Sequence, residues 1–115
     1  MDRKTAFVWF HNNSGDARKT VDFYHDLLEW SVSAPPDGSL LMATAAGPFA
    51  SAASHGPAES GWVPFVQVPD VDTATRRATE LGGAVLQPRQ SGPMGDFSVV
   101  RDPGGATFAL WQRGT

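Results

Sequence analysis

Two hydrophobic periods succeed each other along this chain, and the succession occurs twice. Phe7-Val8-Trp9-Phe10-His11 is a run of strand-favouring residues, ended by Asn12-Asn13-Ser14-Gly15. After Asp16, a natural N-cap, Ala17, Val21, Tyr24, Leu27 and Leu28 recur at helical spacing, with Arg18, Lys19, Asp22 and Asp26 largely on the other side. The spacing predicts an amphipathic helix from Ala17 to Leu28. Strands are expected near Trp30–Ser33, Leu40–Thr44 and Phe49–Ala53, parted by the turn chemistry of Pro35-Pro36-Asp37-Gly38 and Gly47-Pro48.

The order then restarts. Trp62–Val68 reads as a strand, Pro69-Asp70 as a cap, and Val71, Ala74, Ala78 and Leu81 as a helical stripe stopped by Gly82-Gly83. Ala84–Gln87, Phe97–Arg101 and Thr107–Trp111 are further strands. The stretch Pro88–Pro93 is expected as a polar loop, and Asp102-Pro103-Gly104-Gly105 as a hairpin turn. Asp16 and Asp70, Leu27 and Leu81, and Trp9 and Val63 all share an offset of 54 positions. The expectation is therefore an α+β single domain over 1–115, built of two tandem βαβββ modules. The first spans 1–54, a connector 55–60, and the second 61–115. Each half exposes a sheet face that it cannot cover, so two halves can bury those faces against each other around a cleft.

Composition narrows the chemistry. With 115 residues the chain is one domain's worth of material. Nine Lys and Arg against twelve Asp and Glu give a net charge of −3, which argues against a broad basic surface for nucleic acid. Cysteine is absent, which excludes disulfides, thiolate metal sites and cysteine nucleophiles. No apolar run has the length of a membrane span, and Met1-Asp2-Arg3-Lys4 opens no signal peptide, so the cytoplasm is the expected setting. Four Trp and seven Phe either pack a dense core or line an aromatic cavity.

Three segments carry a resemblance. These are Gly61-Trp62-Val63-Pro64-Phe65-Val66-Gln67-Val68-Pro69-Asp70-Val71-Asp72, Ala78-Thr79-Glu80-Leu81-Gly82-Gly83, and Val100-Arg101-Asp102-Pro103-Gly104-Gly105-Ala106-Thr107-Phe108-Ala109-Leu110-Trp111. With Asp22-Phe23-Tyr24-His25-Asp26-Leu27-Leu28-Glu29-Trp30, they make the chain resemble the vicinal-oxygen-chelate superfamily of glyoxalase I, bleomycin-resistance proteins and extradiol dioxygenases. The resemblance implies paired βαβββ modules around a curved, partly open mixed sheet. Glu29 stands where that family usually has Gly, a departure at the helix end. Fold resemblance does not choose among the superfamily's chemistries.

Enzymes of that superfamily hold a divalent metal with His, Gln or Glu from the first and last strands of each module. The corresponding positions here fall on Trp9, on Val63 (or Trp62 with a one-residue slip), on Ala109, and within Phe49–Ala53, where Ser51 is the one polar residue. None of these is a good divalent-metal ligand, so the expectation is a metal-free cleft with no cofactor. A site elsewhere would need His11, His25 and His55, whose spacing does not unite them.

Alternation along strands places Trp9, His11 and Asn13, then Val63, Phe65 and Gln67, and finally Ala109 and Trp111 on the cleft side. Val8, Phe10, Val66 and Val68 are expected against the helices. These cleft residues suit a small, flat, apolar or aromatic ligand, although Trp9 and Trp111 could equally fill core space. His11 is the candidate catalytic base or else a structural histidine, and Asn13 and Gln67 bond a ligand or the backbone. Asp16, Asp70 and Asp102 read as caps and turn. The Arg89–Gly95 loop is either a lid or plain surface. Two functions stand against each other: small-molecule sequestration of the resistance type, and a metal-independent lyase, isomerase or cyclase, or a dioxygenase-like enzyme with a non-standard metal site. By resemblance the chain pairs as a homodimer.

Overall fold

The order of elements follows from the two periods. A computed structural model describes residues 5–36, 38–54 and 61–114. Along it run β1 (Phe7–Asn13), α1 (Ala17–Leu28), β2 (Ser31–Ser33), β3 (Leu40–Thr44), β4 (Gly47–Ala53), β5 (Gly61–Gln67), α2 (Val71–Glu80), β6 (Ala84–Gly92), β7 (Gly95–Arg101) and β8 (Thr107–Arg113). This is an α+β chain that spells βαβββ twice, as the sequence predicts. The expected connector at 55–60, with His55, lies outside the described residues, as does Asp37 of the first predicted turn. Packing divides the chain into two compact units: Trp9–Val63, and Pro64–Thr115 together with Met1–Val8.

In the first unit the strands run β2-β3-β4-β1. β1 is parallel to β4, and the other pairs are antiparallel. Asp16 caps α1 by accepting the Lys19 N–H at 3.1 Å. The Ser54 hydroxyl accepts the Ala17 N–H at 3.0 Å and settles a second orphan donor of that helix. Ala17 and Val21 of α1 bury against Met42, Ala50 and Ala52 of the sheet.

Three expectations fail here. α1 packs over β2, β3 and β4, so Val8 and Phe10 of β1 lie uncovered at 45% and 37% exposure. Leu27 and Leu28 also face outward, because Trp30 stacks on Tyr24 at 5.2 Å and packs with it on the core at that end. The predicted Gly47-Pro48 turn is instead the start of β4, where Gly47 at φ 116° supplies a backbone conformation that L side chains avoid.

In the second unit the order is β5-β8-β7-β6, with β5 parallel to β8. Asp70 caps α2 through the Thr73 N–H at 3.0 Å, and this bond holds its carboxyl below the usual carboxylate range. Val71 and Ala74 pack on Val68, Val100 and Leu110, with Val66 and Ala78 beside them. Here the expected helix-facing pair of β5, Val66 and Val68, does meet its helix. Asp102 organises the last hairpin as predicted, accepting the N–H groups of Gly104 and Ala106.

The expected polar loop at Pro88–Pro93 is largely strand. β6 runs on to Gly92, with register shifts between Val85 and Gln90 that accommodate Pro88. Within this unit β6 pairs only with β7, and an irregular edge strand is where a proline's missing N–H is tolerated. Arg89 then bonds Asp72 of α2 and Asp96 of β7. The segment is a braced strand rather than a lid.

Candidate functional site

The register of the parallel β1/β4 pair sets the first group of side chains. His11 lies opposite Ser51, and side chains at paired positions leave the sheet on one face. The Trp9 indole N–H donates to Ser51 Oγ at 2.9 Å, and His11 Nδ1 lies 2.7 Å from the same oxygen. One buried hydroxyl therefore ties together the two residues that alternation had placed on this face. Burial pushes the His11 imidazole down from its ordinary 6.5, and the Asn13 side chain pulls the other way. Asn13 is buried, and so is Val63.

In the second unit, Phe65 lies opposite Ala109 and Gln67 opposite Trp111 across β5/β8. Phe97 pairs with Trp111 across β7/β8, and its ring lies 5.7 Å from that of Phe65. The Trp111 N–H donates to the Met94 carbonyl at 3.1 Å, so this indole is bonded through main chain. Ala109 is fully buried and Gln67 is exposed.

Inside one unit Trp9 and His11 meet at Ser51, and inside the other Phe65 and Gln67 lie opposite Ala109 and Trp111, while Val63 falls in the unit of Trp9 rather than that of Phe65. Two partners were missed. Ser51 was noted as the one polar residue of its strand, yet its role as a shared acceptor depends on the β1/β4 register. Phe97 required the β7/β8 register. The other two tryptophans serve packing: Trp30 stacks on Tyr24, and the Trp62 N–H donates to the Tyr24 hydroxyl at 3.0 Å.

A groove of about 430 Å³ opens on the other face of β1, where Asn12 meets Ser14, Thr20, Phe23 and Tyr24 of the α1 side. None of the eight expected site residues lines it.

The family metal does not fit these residues. At the corresponding positions, Trp9 offers an N–H already given to Ser51, and Val63 and Ala109 offer no lone pair. Among the described residues no three His, Asp or Glu side chains gather as a metal-holding group.

Against known proteins, residues 9–111 match the family model described as a glyoxalase-like domain. The chain belongs to that family. Its sequence is 29% identical over 130 residues to the anthracycline biosynthesis protein DnrV of Streptomyces peucetius, and equally to DauV of Streptomyces sp. strain C5. Each match covers 95% of this chain and 47% of the relative, so this glyoxalase-like chain spans about half the length of those proteins. Its fold is that of a glyoxalase/bleomycin resistance protein/dioxygenase superfamily member from Vibrio splendidus, at a TM-score of 0.65 and 17% identity, covering 96% of this chain and all of that one. A homoprotocatechuate 2,3-dioxygenase variant from B. fuscum shares the fold at a TM-score of 0.66 and 22% identity, over 95% of this chain and 32% of that one. No helix among the described residues is long and apolar enough to cross a membrane.

Proposed function

We propose that this glyoxalase-like chain binds a small, flat, apolar or aromatic molecule and sequesters it without a metal, as a cytoplasmic homodimer. The observation that carries this reading is the Trp9–Ser51–His11 arrangement. Ser51 takes up the indole N–H, which leaves the ring faces of Trp9 as its means of contact, and such faces stack on flat apolar or aromatic molecules. His11 adds one oriented polar group, the mixture expected of a small-molecule site. The second unit offers Phe65, Phe97 and Trp111 on one sheet face. The names of the Streptomyces relatives, both attached to anthracycline biosynthesis, support a polycyclic aromatic ligand.

The test is titration of the purified protein with a panel of polycyclic aromatics, with binding followed by NMR. Trp9→Ala should weaken uptake about tenfold or more, the scale of a lost aromatic contact with its buried area. Unchanged affinity with an intact fold would remove Trp9 from the site.

The competing reading is a metal-independent enzyme using His11 as base. One observation favours it: burial lowers the imidazole's proton affinity and keeps the ring neutral near pH 7. His11→Gln separates the two, because an enzyme would lose turnover while still holding its substrate.

A further inference from the structure

The groove beside α1 contains a polar group that the fold leaves unanswered. Asn12 lines it at 7% exposure, and no hydrogen bond joins its side-chain amide to another described residue. The polar neighbours are already engaged. Ser14 Oγ accepts the Asp16 N–H at 3.0 Å and lies 2.7 Å from Thr20 Oγ1, while the Asp16 carboxylate accepts the Lys19 N–H. Buried amides are normally paired, so one without a protein partner gains from a ligand that supplies the missing bonds.

The lining says which ligand that is. Whichever way the Asn12 amide is turned, it presents a carbonyl acceptor beside an N–H donor. A ketone or a carboxylate answers the donor alone. A primary carboxamide answers both, through two side-by-side hydrogen bonds. Asp16 and Lys19 bring one charge of each sign to the exposed rim, so the groove favours a neutral molecule over an ion. Tyr24 lies half-buried along the wall, with the more exposed Phe23 edge-on to it at 5.2 Å between ring centres. Such a pair suits a flat aromatic body, and about 430 Å³ is room for a small molecule.

We propose that this groove is a second binding site, for a neutral, planar aromatic carboxamide. Asn12 pairs with the carboxamide, and Tyr24 and Phe23 contact the ring. Alternation puts Asn12 on the face of β1 opposite Trp9 and His11, and the two sites share no residue. The inference goes beyond the ligand proposed for the Trp9 face, and its failure leaves that reading standing.

The experiment titrates the 15N-labelled chain with three probes of one shape. These are 2-naphthamide, 2-acetylnaphthalene, in which a methyl replaces the amide nitrogen, and the anion 2-naphthoate. Naphthamide should bind about five- to tenfold more tightly than acetylnaphthalene, the range of one neutral hydrogen bond. Asn12→Leu, apolar and close in volume, should bring these two probes within about twofold of each other. In the unmodified protein, naphthamide should shift the Asn12 side-chain NH2 signals and leave the Trp9 and Trp111 indole N–H signals in place, a map that needs no variant. Equal binding of the amide and the ketone overturns the inference, as does a preference that survives Asn12→Leu. Shifts gathered on the two indoles, or no binding of naphthamide, overturn the second site. Tighter binding of naphthoate than of naphthamide would assign the groove to an anion and overturn the carboxamide.

Discussion

Glu29 closes α1 at φ 63°, in the left-handed region, where its Cβ crowds the backbone. The sequence marked this position by the missing Gly, and the helix still closes there in the left-handed conformation that Gly favours. Glu29→Gly should therefore raise stability by about 1 kcal/mol in urea unfolding; no gain would mean that the αL strain is relieved elsewhere. His11 makes the opposite kind of statement. Burial lowers its folded pKa below the unfolded 6.5, so the unfolded chain binds more protons in acid. Stability contributed by neutral His11 is present above pH 6.5 and is lost as pH falls through the folded value. His11→Phe, which cannot charge, should flatten the decline in midpoint between pH 7 and 5; an unaltered slope would place the acid sensitivity on other groups. Residue identity named His11 and Trp9 as candidates, but their common tie to Ser51 depends on a strand register that no local pattern encodes.

At the scale of elements, periodicity located both helices and all eight strands found among the described residues, because burial on one face is what each period records. It was less informative about which neighbour covers that face. Val66 and Val68 found their helix, whereas Val8 and Phe10 did not, although the two strands read alike in sequence. It also missed how α2 is anchored. Val71 at the start of α2 is fully buried, and its N–H is satisfied by the side-chain oxygen of Gln112 on β8 at 2.9 Å. A buried donor left unpaired costs about 1–3 kcal/mol. Gln112→Ala should lower stability by about that much, Gln112→Glu should retain most of it, and a neutral Ala variant would show that water reaches the amide. Pro88 misled the reading in the other direction. Proline normally argues against a strand, but an irregular edge strand needs no N–H at every position.

At the scale of the whole molecule, the doubled βαβββ order was legible because each half repeats the same cap, helix stripe and turns. Surface chemistry was less so, since a helical stripe does not distinguish side chains buried by the chain's own sheet from those buried by a partner. Phe23 and Leu27 lie one turn apart on α1 at 57% and 61% exposure. Neither belongs to the core beneath that helix. Large apolar side chains grouped in this way are commonly covered in an assembly, which accords with the proposed homodimer. Sedimentation velocity at tens of micromolar should then report twice the chain mass of 12.3 kDa. The double variant Phe23→Lys, Leu27→Lys should sediment as a monomer with an unchanged circular dichroism spectrum, because both side chains already face solvent. A dimer that survives both charges would place the contact on another face, and an unmodified protein that stays monomeric at these concentrations would remove the homodimer altogether.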